Sequence, residues 1–426
     1  MKVLWVNSRY FVSGGPETYM FAAAEMLESA GHEVVPFSAR YDRNRETPWS
    51  EYFVSPVAGD DEVYFREHAR SLRNLTRGLQ RAFYAPDVRA SLSELIRVAD
   101  PDVAVVQQYL RKLSPAVLVA LREAEVPIVV RLSDFAMVCP AATLLRDGRT
   151  CQRCLTNGLA WSVRYRCVQD SFGVSAVACA SMWFAKWRKY FDLIDYYLAP
   201  SAVMREQMIA GGYDASRIVV LPTFVDSART HIDDARARRI VYVGRLSPEK
   251  GLDVLLDAFD RVVRQDGSRD IELLLAGGGE DSYVAGLVAR ARRISPQVKF
   301  VGVLDADAVR RLLCGALISV VPSLCYENLP NAMLESLAAG TPVAASDLGS
   351  MTDVLRGTDA GFLFRPGDPG DLAESLVALL REPDTLKRMS RSARHLAETR
   401  YSPDAHLRGL LRVLNAAVER GDRIGD

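Results

Sequence analysis

Between Pro322 and Val343 the chain reads PSLCYENLPNAMLESLAAGTPV. Two carboxylates, Glu327 and Glu335, stand there with seven residues between them. The first falls in a loop and the second in a helix that this loop opens. Proline suits the first turn of a helix, so Pro330 marks its start. Gly340 and Pro342 mark its end. A helix N-terminus offers free N–H groups and partial positive charge, which suit a phosphate. Asn328, Leu329 and Pro330 bring backbone to that point. Glu327 is then placed to accept hydrogen bonds from hydroxyls beside the phosphate. Glu335, about two turns inside the helix, reaches a second polar group farther along the ligand. A ligand with phosphate in its middle and hydroxyls at both ends fits this layout, and a nucleotide sugar has that form. The plain alternative is an amphipathic helix with two surface carboxylates.

A second group of residues carries the opposite charge. In YVGRLSPEKG, residues 242–251, a strand ends at Val243 and Gly244 allows a turn. Arg245 and Lys250 then project toward one cleft. Arginine binds phosphate with a planar fork and lysine as a point charge. Together they can neutralise a diphosphate whose charge grows as it leaves. Alone, such a pair would be surface charge. Gly14 and Gly15 follow the first strand and open a helix, where backbone can approach a ligand. The Gly-x-Gly-x-x-Gly dinucleotide pattern is absent, which argues against a nicotinamide or flavin enzyme. Gly278, in the run Gly277-Gly278-Gly279-Glu280, shapes either the edge of the cleft or only a turn.

These residues require a frame. Short apolar runs alternate with amphipathic stretches along the whole chain: Val3–Val6, Val103–Val106, Ile128–Leu132, Tyr196–Ala199, Ile240–Val243, Leu273–Ala276, Val298–Val301, Leu317–Val321 and Pro342–Ala345 read as buried strands. The intervening helices include Glu17–Ser29, Ser114–Glu123, Leu252–Arg264, Ala306–Leu313 and Asp371–Leu380. Alternation of this kind predicts an α/β protein with parallel, doubly wound sheets. The length of 426 residues suggests two domains. The expected break falls near Pro200–Ser201, with a new strand series opening at Ile218–Leu221. The segment from Asp42 to Asp100 is the least regular. In it Arg66, Arg70, Arg73, Arg77 and Arg81 recur about every fourth residue, which reads as a solvated helix face or as a surface for an anionic acceptor or membrane.

The spaced glutamates, the small-residue helix with its Gly-Thr-Pro-Val exit and the Gly-Arg…Glu-Lys-Gly segment resemble the donor site of retaining glycosyltransferases of the group 1 type, with the GT-B fold. The resemblance implies two Rossmann-like domains facing across a cleft. Residues 1–200 would form the acceptor-side domain, with a C-terminal helix in 401–426 packing back on it. Residues 201–400 would hold the nucleotide sugar. The implied reaction moves a sugar from a nucleotide-diphosphate sugar to an acceptor with retention at the anomeric carbon. The implied roles are leaving-group stabilisation by Arg245 and Lys250, sugar contacts from Glu327 and ribose contacts from Glu335. Gly14, Gly15, Gly244, Gly278 and the Asn328–Pro330 backbone would border the donor, and Asp134 would join the catalytic group. No carboxylate pair suggests a double displacement, so same-face attack through an oxocarbenium-like state is expected, with no cofactor beyond the donor. One position departs from the pattern. The family carries His-Asp where this chain has Ser133-Asp134. Arg131 and Ser133 share one face of their strand by its two-residue period, so Arg131 either replaces the lost contact, binds an anionic acceptor, or pairs with an acid for structural reasons. An epimerase and a non-catalytic nucleotide-sugar-binding subunit are the competing classes, and turnover with an acceptor separates them.

The remaining features bound partners and place. Lys+Arg and Asp+Glu both number 53, so the chain has no basic excess for a dedicated nucleic-acid binder. The longest uncharged run near its middle, 172–185, is shorter than the roughly 18 apolar residues of a membrane span. The N-terminus does not read as a signal peptide, so a cytoplasmic protein is expected, with possible peripheral contact at the inner face of a membrane. The segment ASMWFAKWRKYF, residues 180–191, is either a membrane-surface helix or a core helix with solvated bases. Cys139, Cys151, Cys154 and Cys167 fall close together in sequence. They are candidate ligands for a structural zinc, with a labile disulfide or free thiols as alternatives. The acceptor class stays open among a sugar, a lipid-linked sugar in surface polysaccharide or glycolipid assembly, and a small molecule. The oligomeric state is not legible.

Overall fold

A computed structural model describes residues 1–57, 72–230, 236–266 and 270–425. The first strands are β1 (Lys2–Val6), β2 (Glu33–Phe37), β3 (Val103–Gln107) and β4 (Ile128–Arg131). A two-stranded antiparallel hairpin follows, β5 (Leu145–Arg146) and β6 (Arg149–Thr150), then β7 (Tyr196–Ala199) and β8 (Ile218–Val220). Apart from the hairpin these strands form one parallel sheet in the order β2-β1-β3-β4-β7-β8. A second parallel sheet contains β9 (Arg239–Val243), β10 (Glu272–Ala276), β11 (Val298–Gly302), β12 (Ile318–Val321), β13 (Val343–Ser346) and β14 (Gly361–Phe364). Its order is β11-β10-β9-β12-β13-β14. Two doubly wound parallel sheets flanked by helices make the α/β architecture expected from the strand–helix alternation, in the two-domain GT-B form that the resemblance implies.

The central strands of each parallel sheet are largely apolar because both of their faces are covered. In β1, Leu4 and Val6 enter one core while Val3 and Trp5 enter the core on the opposite face. In β9, Ile240 and Tyr242 face one side and Val241 the other. Besides the hairpin strands β5 and β6, two strands of the parallel sheets escaped the sequence reading, and both are edge strands. β2 contains Pro36, which an edge can tolerate but which weakens a strand signal. β14 is four residues long and opens on a glycine.

Two expectations are corrected by the topology. β8 pairs with β7 in the first sheet and does not open the second. The run Ile218–Leu221 looked like the start of a new series because it follows the expected domain break, but the next described strand begins only at Arg239. Nor do Arg77 and Arg81, the described part of the arginine series, stand on a solvated face. Arg81 is fully buried, donating to both Asp87 carboxylate oxygens at 3.0 and 2.8 Å and to the Ser55 carbonyl at 2.9 Å. Arg77 donates to the Pro56 carbonyl. Arg66 and Arg70 lie outside the described residues, as does the side chain of Arg73.

The final helix, Pro403–Gly425, crosses back to the first sheet. Leu410, Val413, Leu414 and Ala417 pack with Val3, Trp5, Val103 and Val129. Beside them His406 is buried, its Nδ1 donating to the Pro222 carbonyl at 2.7 Å. A carbonyl can only accept, so Nε2 is the acceptor for the Tyr19 hydroxyl at 3.0 Å. Burial lowers the imidazole to about 3, with Arg131 adding repulsion.

Candidate active site

The two sheets face one another across a cavity of about 830 Å³ lined from both sides. On the second-sheet side, the chain leaves β9 at Gly244, turns, and comes back against the loop after β12. This close approach depends on glycine. Gly251 has φ +71°, and a Cβ there would lie 1.9 Å from the Pro322 carbonyl oxygen. The Leu324 amide then donates to the Glu249 carbonyl at 2.9 Å. The Gly277 and Gly279 run is pressed as closely on the first loop, against the carbonyls of Gly244 and Leu246.

These contacts place the charges. Lys250 Nζ lies 2.5 Å from Glu327 Oε1, which also accepts from Ser323 Oγ at 2.7 Å. The Ser350 hydroxyl holds the Glu327 backbone carbonyl at 2.8 Å. Arg245 is exposed and pairs with Glu249 at 2.8 Å, and the Tyr242 hydroxyl fixes the Arg245 carbonyl at 2.7 Å. Arg245, Lys250, Glu327, Asn328, Leu329 and Pro330 all line the cavity. The helix begins at Asn331, with extended Pro330 as its N-cap, one residue later than the sequence suggests. Glu335 lies deeper, outside the cavity lining, and burial raises its carboxyl above the usual range. Gly278 also stands back from the cavity, beside Val303.

The opposite wall comes from the first sheet. Gly14 and Gly15 line the cavity, and Gly15 approaches the Asn331 side chain. Arg131, at the end of β4, is buried. Its guanidinium lies 4.4 Å from the Tyr19 ring centroid and donates to Thr223 Oγ1 at 2.9 Å and to the Leu132 carbonyl at 2.7 Å. The structural acid partner considered for Arg131 is not found among the described residues; an aromatic face and a hydroxyl hold it instead. Asp134 Oδ1 accepts from the Ala136 amide at 2.8 Å. Burial raises its carboxyl, opposed by that hydrogen bond and by Arg111 and Lys112.

The walls touch at three points. The Asn328 amide donates to the Ser133 carbonyl. Tyr326 packs edge-on against Phe135 at 6.2 Å and accepts from the Gln152 amide at 3.2 Å. Sequence reasoning passed over Tyr326, although an aromatic beside Glu327 in a loop of small residues was a usable signal. It also passed over Tyr19 and Thr223. Nothing in the sequence links them to Arg131, since the contact spans the two ends of the first sheet's chain.

Among the described residues no three His, Cys, Asp or Glu side chains converge to hold a metal ion. Cys139, Cys151, Cys154 and Cys167 are therefore not assembled into the zinc site that their spacing allowed, and all seven cysteines are free thiols. Cys139 is fixed in the first core, whereas Cys151, Cys154 and Cys167 sit on the surface excursion after the hairpin. Burial lifts the Cys154 thiol to about 12, with smaller contributions from the neighbouring thiols.

The arrangement has relatives. Residues 14–223 match the Glycosyl transferase 4-like domain and residues 237–382 match Glycosyl transferases group 1. A phosphatidyl-myo-inositol mannosyltransferase of Mycobacterium tuberculosis is 31% identical over 229 residues, covering 52% of this chain and 59% of that protein. The match thus spans little more than half the length of either. Among solved structures, sucrose-phosphate synthase from Thermosynechococcus elongatus aligns with a TM-score of 0.70 at 17% identity, over 98% of this chain and 99% of the other. Anabaena HepE in complex with UDP and glucose aligns at 0.64 and 17% identity, over 97% and 99%. The two matched domains, in this order on this fold, make the chain a member of the group 1 glycosyltransferases of GT-B architecture.

Proposed function

We propose that this protein transfers a glycosyl group from a nucleotide-diphosphate sugar to an acceptor hydroxyl with retention of configuration. One observation carries the reading: Arg245, Lys250, Glu327 and the N-terminus of the Asn331–Ala338 helix share one wall of an interdomain cavity. The diphosphate would lie between the helix N-terminus and the two cations. Glu327 would meet the sugar hydroxyls, and Glu335 the ribose. In the reaction the bond from the anomeric carbon to the diphosphate oxygen breaks and a bond to the acceptor oxygen forms on the same face. The acceptor proton passes to the departing diphosphate, which Arg245 and Lys250 stabilise as its charge grows.

The Lys250–Glu327 pair holds both side chains in place before a ligand arrives, so little reorganisation is needed. Asp134 and Arg131 would shape the opposite side, with Ser133 near the transferred sugar. Closure of the walls through Tyr326 and Asn328 would exclude water and limit donor hydrolysis. We place the domain boundary between Val220 and Arg239, later than the sequence alone suggests. The free thiols suit a reducing cytoplasm. No described helix is long and apolar enough to cross a membrane; exposed Trp183 and Trp187 suit peripheral contact.

The test is a thermal-shift screen of UDP, GDP, TDP and ADP sugars, followed by transfer to an acceptor panel. At a hundredfold excess over its Kd the correct donor stabilises the fold by about 2.7 kcal/mol. Nucleotide release that depends on acceptor supports transfer. Sugar conversion without acceptor points to an epimerase, and binding without turnover to a non-catalytic subunit.

A further inference from the structure

Beside the cleft the first domain contains a second cavity, of about 680 Å³. Its walls are apolar: Leu79 and Ala82 from the Leu72–Phe83 helix, Val174, Val177 and Ala178 from the Phe172–Trp187 helix, and Met137 between them. Its inner end is not. Arg111, Lys112, Arg131 and Asp134 gather there, and Arg131 and Asp134 also line the interdomain cleft, so the two cavities adjoin. Arg111 donates to the Pro140 carbonyl at 2.7 Å. Asp134 stands near Arg111 and Lys112 and favours their charged forms, but among the described residues no carboxylate forms a close ion pair with Arg111, Lys112 or Arg131. Burial lowers the Lys112 amine to about 8, under the influence of Arg9, Glu17, Asp134 and Arg111. Three cations around one carboxylate leave excess positive charge at this inner end, and an arriving anion would offset it.

The outer end reaches the surface through apolar side chains. Leu79, Phe172, Val174 and Val177 are all exposed there. Farther along the same helix Trp183 and Trp187 are exposed and stacked at 6.1 Å, with Lys186, Arg188 and Lys189 around them. Exposed tryptophans with flanking cations suit a bilayer interface. A cavity of this size accommodates a ligand-sized apolar group. An apolar channel that ends in a net positive cluster beside a reaction cleft is complementary to a chain-bearing anion.

We infer that the acceptor is a phosphate-bearing lipid whose apolar chain occupies the cavity between the Leu72–Phe83 and Phe172–Trp187 helices and whose phosphate meets Lys112 and Arg111. The acceptor hydroxyl is thereby delivered to the cleft beside Asp134. Only this last step rests on the glycosyl-transfer reading; the lipid site stands on the cavity itself. A sugar linked to polyprenyl phosphate and a glycerophospholipid with a polyol headgroup share the required chemistry, each carrying a free hydroxyl beyond its phosphate.

Equilibrium binding to the full-length protein tests the inference, with farnesyl phosphate and dioctanoyl phosphatidic acid as probes below their micelle concentrations. Farnesol and glycerol phosphate serve as comparators lacking one half each. Both lipids should bind at least tenfold more tightly than either comparator, and the tighter of the two identifies the source of the chain. Lys112→Gln should weaken the lipids about tenfold, which corresponds to one lost charged contact of about 1.4 kcal/mol, and leave farnesol unchanged. Val177→Trp and, independently, Leu79→Trp should weaken the lipids and leave glycerol phosphate unchanged. Nucleotide-induced thermal stabilisation should persist in all three variants. Glycerol phosphate binding as tightly as the lipids, or lipid binding indifferent to all three substitutions, overturns the inference. A protein that binds nucleotide but no lipid loses this inference and keeps the donor reading; one that binds lipid but no nucleotide does the reverse.

Discussion

The two walls of the cleft manage charge in opposite ways. On the second-sheet wall each cation already has a carboxylate: Lys250 has Glu327 and Arg245 has Glu249. On the first-sheet wall Arg131 rests on an aromatic ring and a hydroxyl, and Asp134 accepts from a backbone amide, neither in a close ion pair among the described residues. The paired wall is preorganised, with loops locked by glycines that admit no side chain. The other wall holds charges whose partners must come from a ligand. A constant donor suits the first arrangement and a distinctive acceptor the second.

The largest expected effect breaks the paired wall. Lys250→Ala should lower kcat/KM for transfer by about a hundredfold or more, as removal of one strong transition-state contact does. Glu327 would also lose its cation, so Glu327→Gln and the double variant complete a cycle. Coupling between the two positions, read from kcat/KM, should be well above the scatter expected of independent sites.

On the other wall, Arg131→Ala should cost about 1–3 kcal/mol of stability through the lost hydrogen bonds and ring contact, measured by urea unfolding. Transfer should fall with it. Arg131→Lys should not restore activity, because a lysine lacks the planar fork that reaches Thr223 and lies flat on Tyr19.

How much was legible follows the same division. The donor wall was readable because its chemistry lies in two short segments, 242–251 and 322–343, each following a strand whose apolar run predicts it. Asp305 caps the Ala306–Cys314 helix, accepting from the Ala308 amide at 2.7 Å, as an aspartate directly before a helical run should. The acceptor wall is assembled from distant pieces. Arg131 meets Tyr19 and Thr223, residues far apart in sequence, and His406 reaches them from the final helix. No local spacing encodes such contacts. The arginines of 66–81 looked periodic and solvated, yet Arg81 is buried because Asp87 and the Ser55 carbonyl, brought by other elements, satisfy it. The four cysteines are near in sequence and near enough in space for Cys139, Cys151 and Cys167 to act on Cys154, yet among the described residues they do not meet in the geometry of a metal site.

His406 ties the C-terminal crossover to that wall, and pH should reveal it. Its folded value lies near 3, below the ordinary 6.5, so the fold keeps it neutral while the unfolded chain takes up the proton. Its contribution to stability is complete above pH 6.5 and is lost as pH falls toward 3. Between pH 6.5 and 5 the loss from this residue is about 2 kcal/mol. Urea unfolding at several pH values should show this slope, and His406→Asn should flatten it. The smallest effect belongs to Glu335, which stands behind the cavity lining. Glu335→Gln should raise the donor KM about threefold to tenfold, or roughly 0.6–1.4 kcal/mol, with kcat nearly unchanged.

The central claim is that the wall built from Lys250, Arg245 and Glu327 binds a nucleoside diphosphate. Calorimetric titration of UDP, GDP, TDP and ADP into the wild-type protein and into Lys250→Ala tests it most directly. The account predicts saturable binding of one nucleotide to the wild type and at least a tenfold weaker Kd for the variant. Equal binding by the two proteins, or no binding of any nucleotide to the wild type, would contradict it.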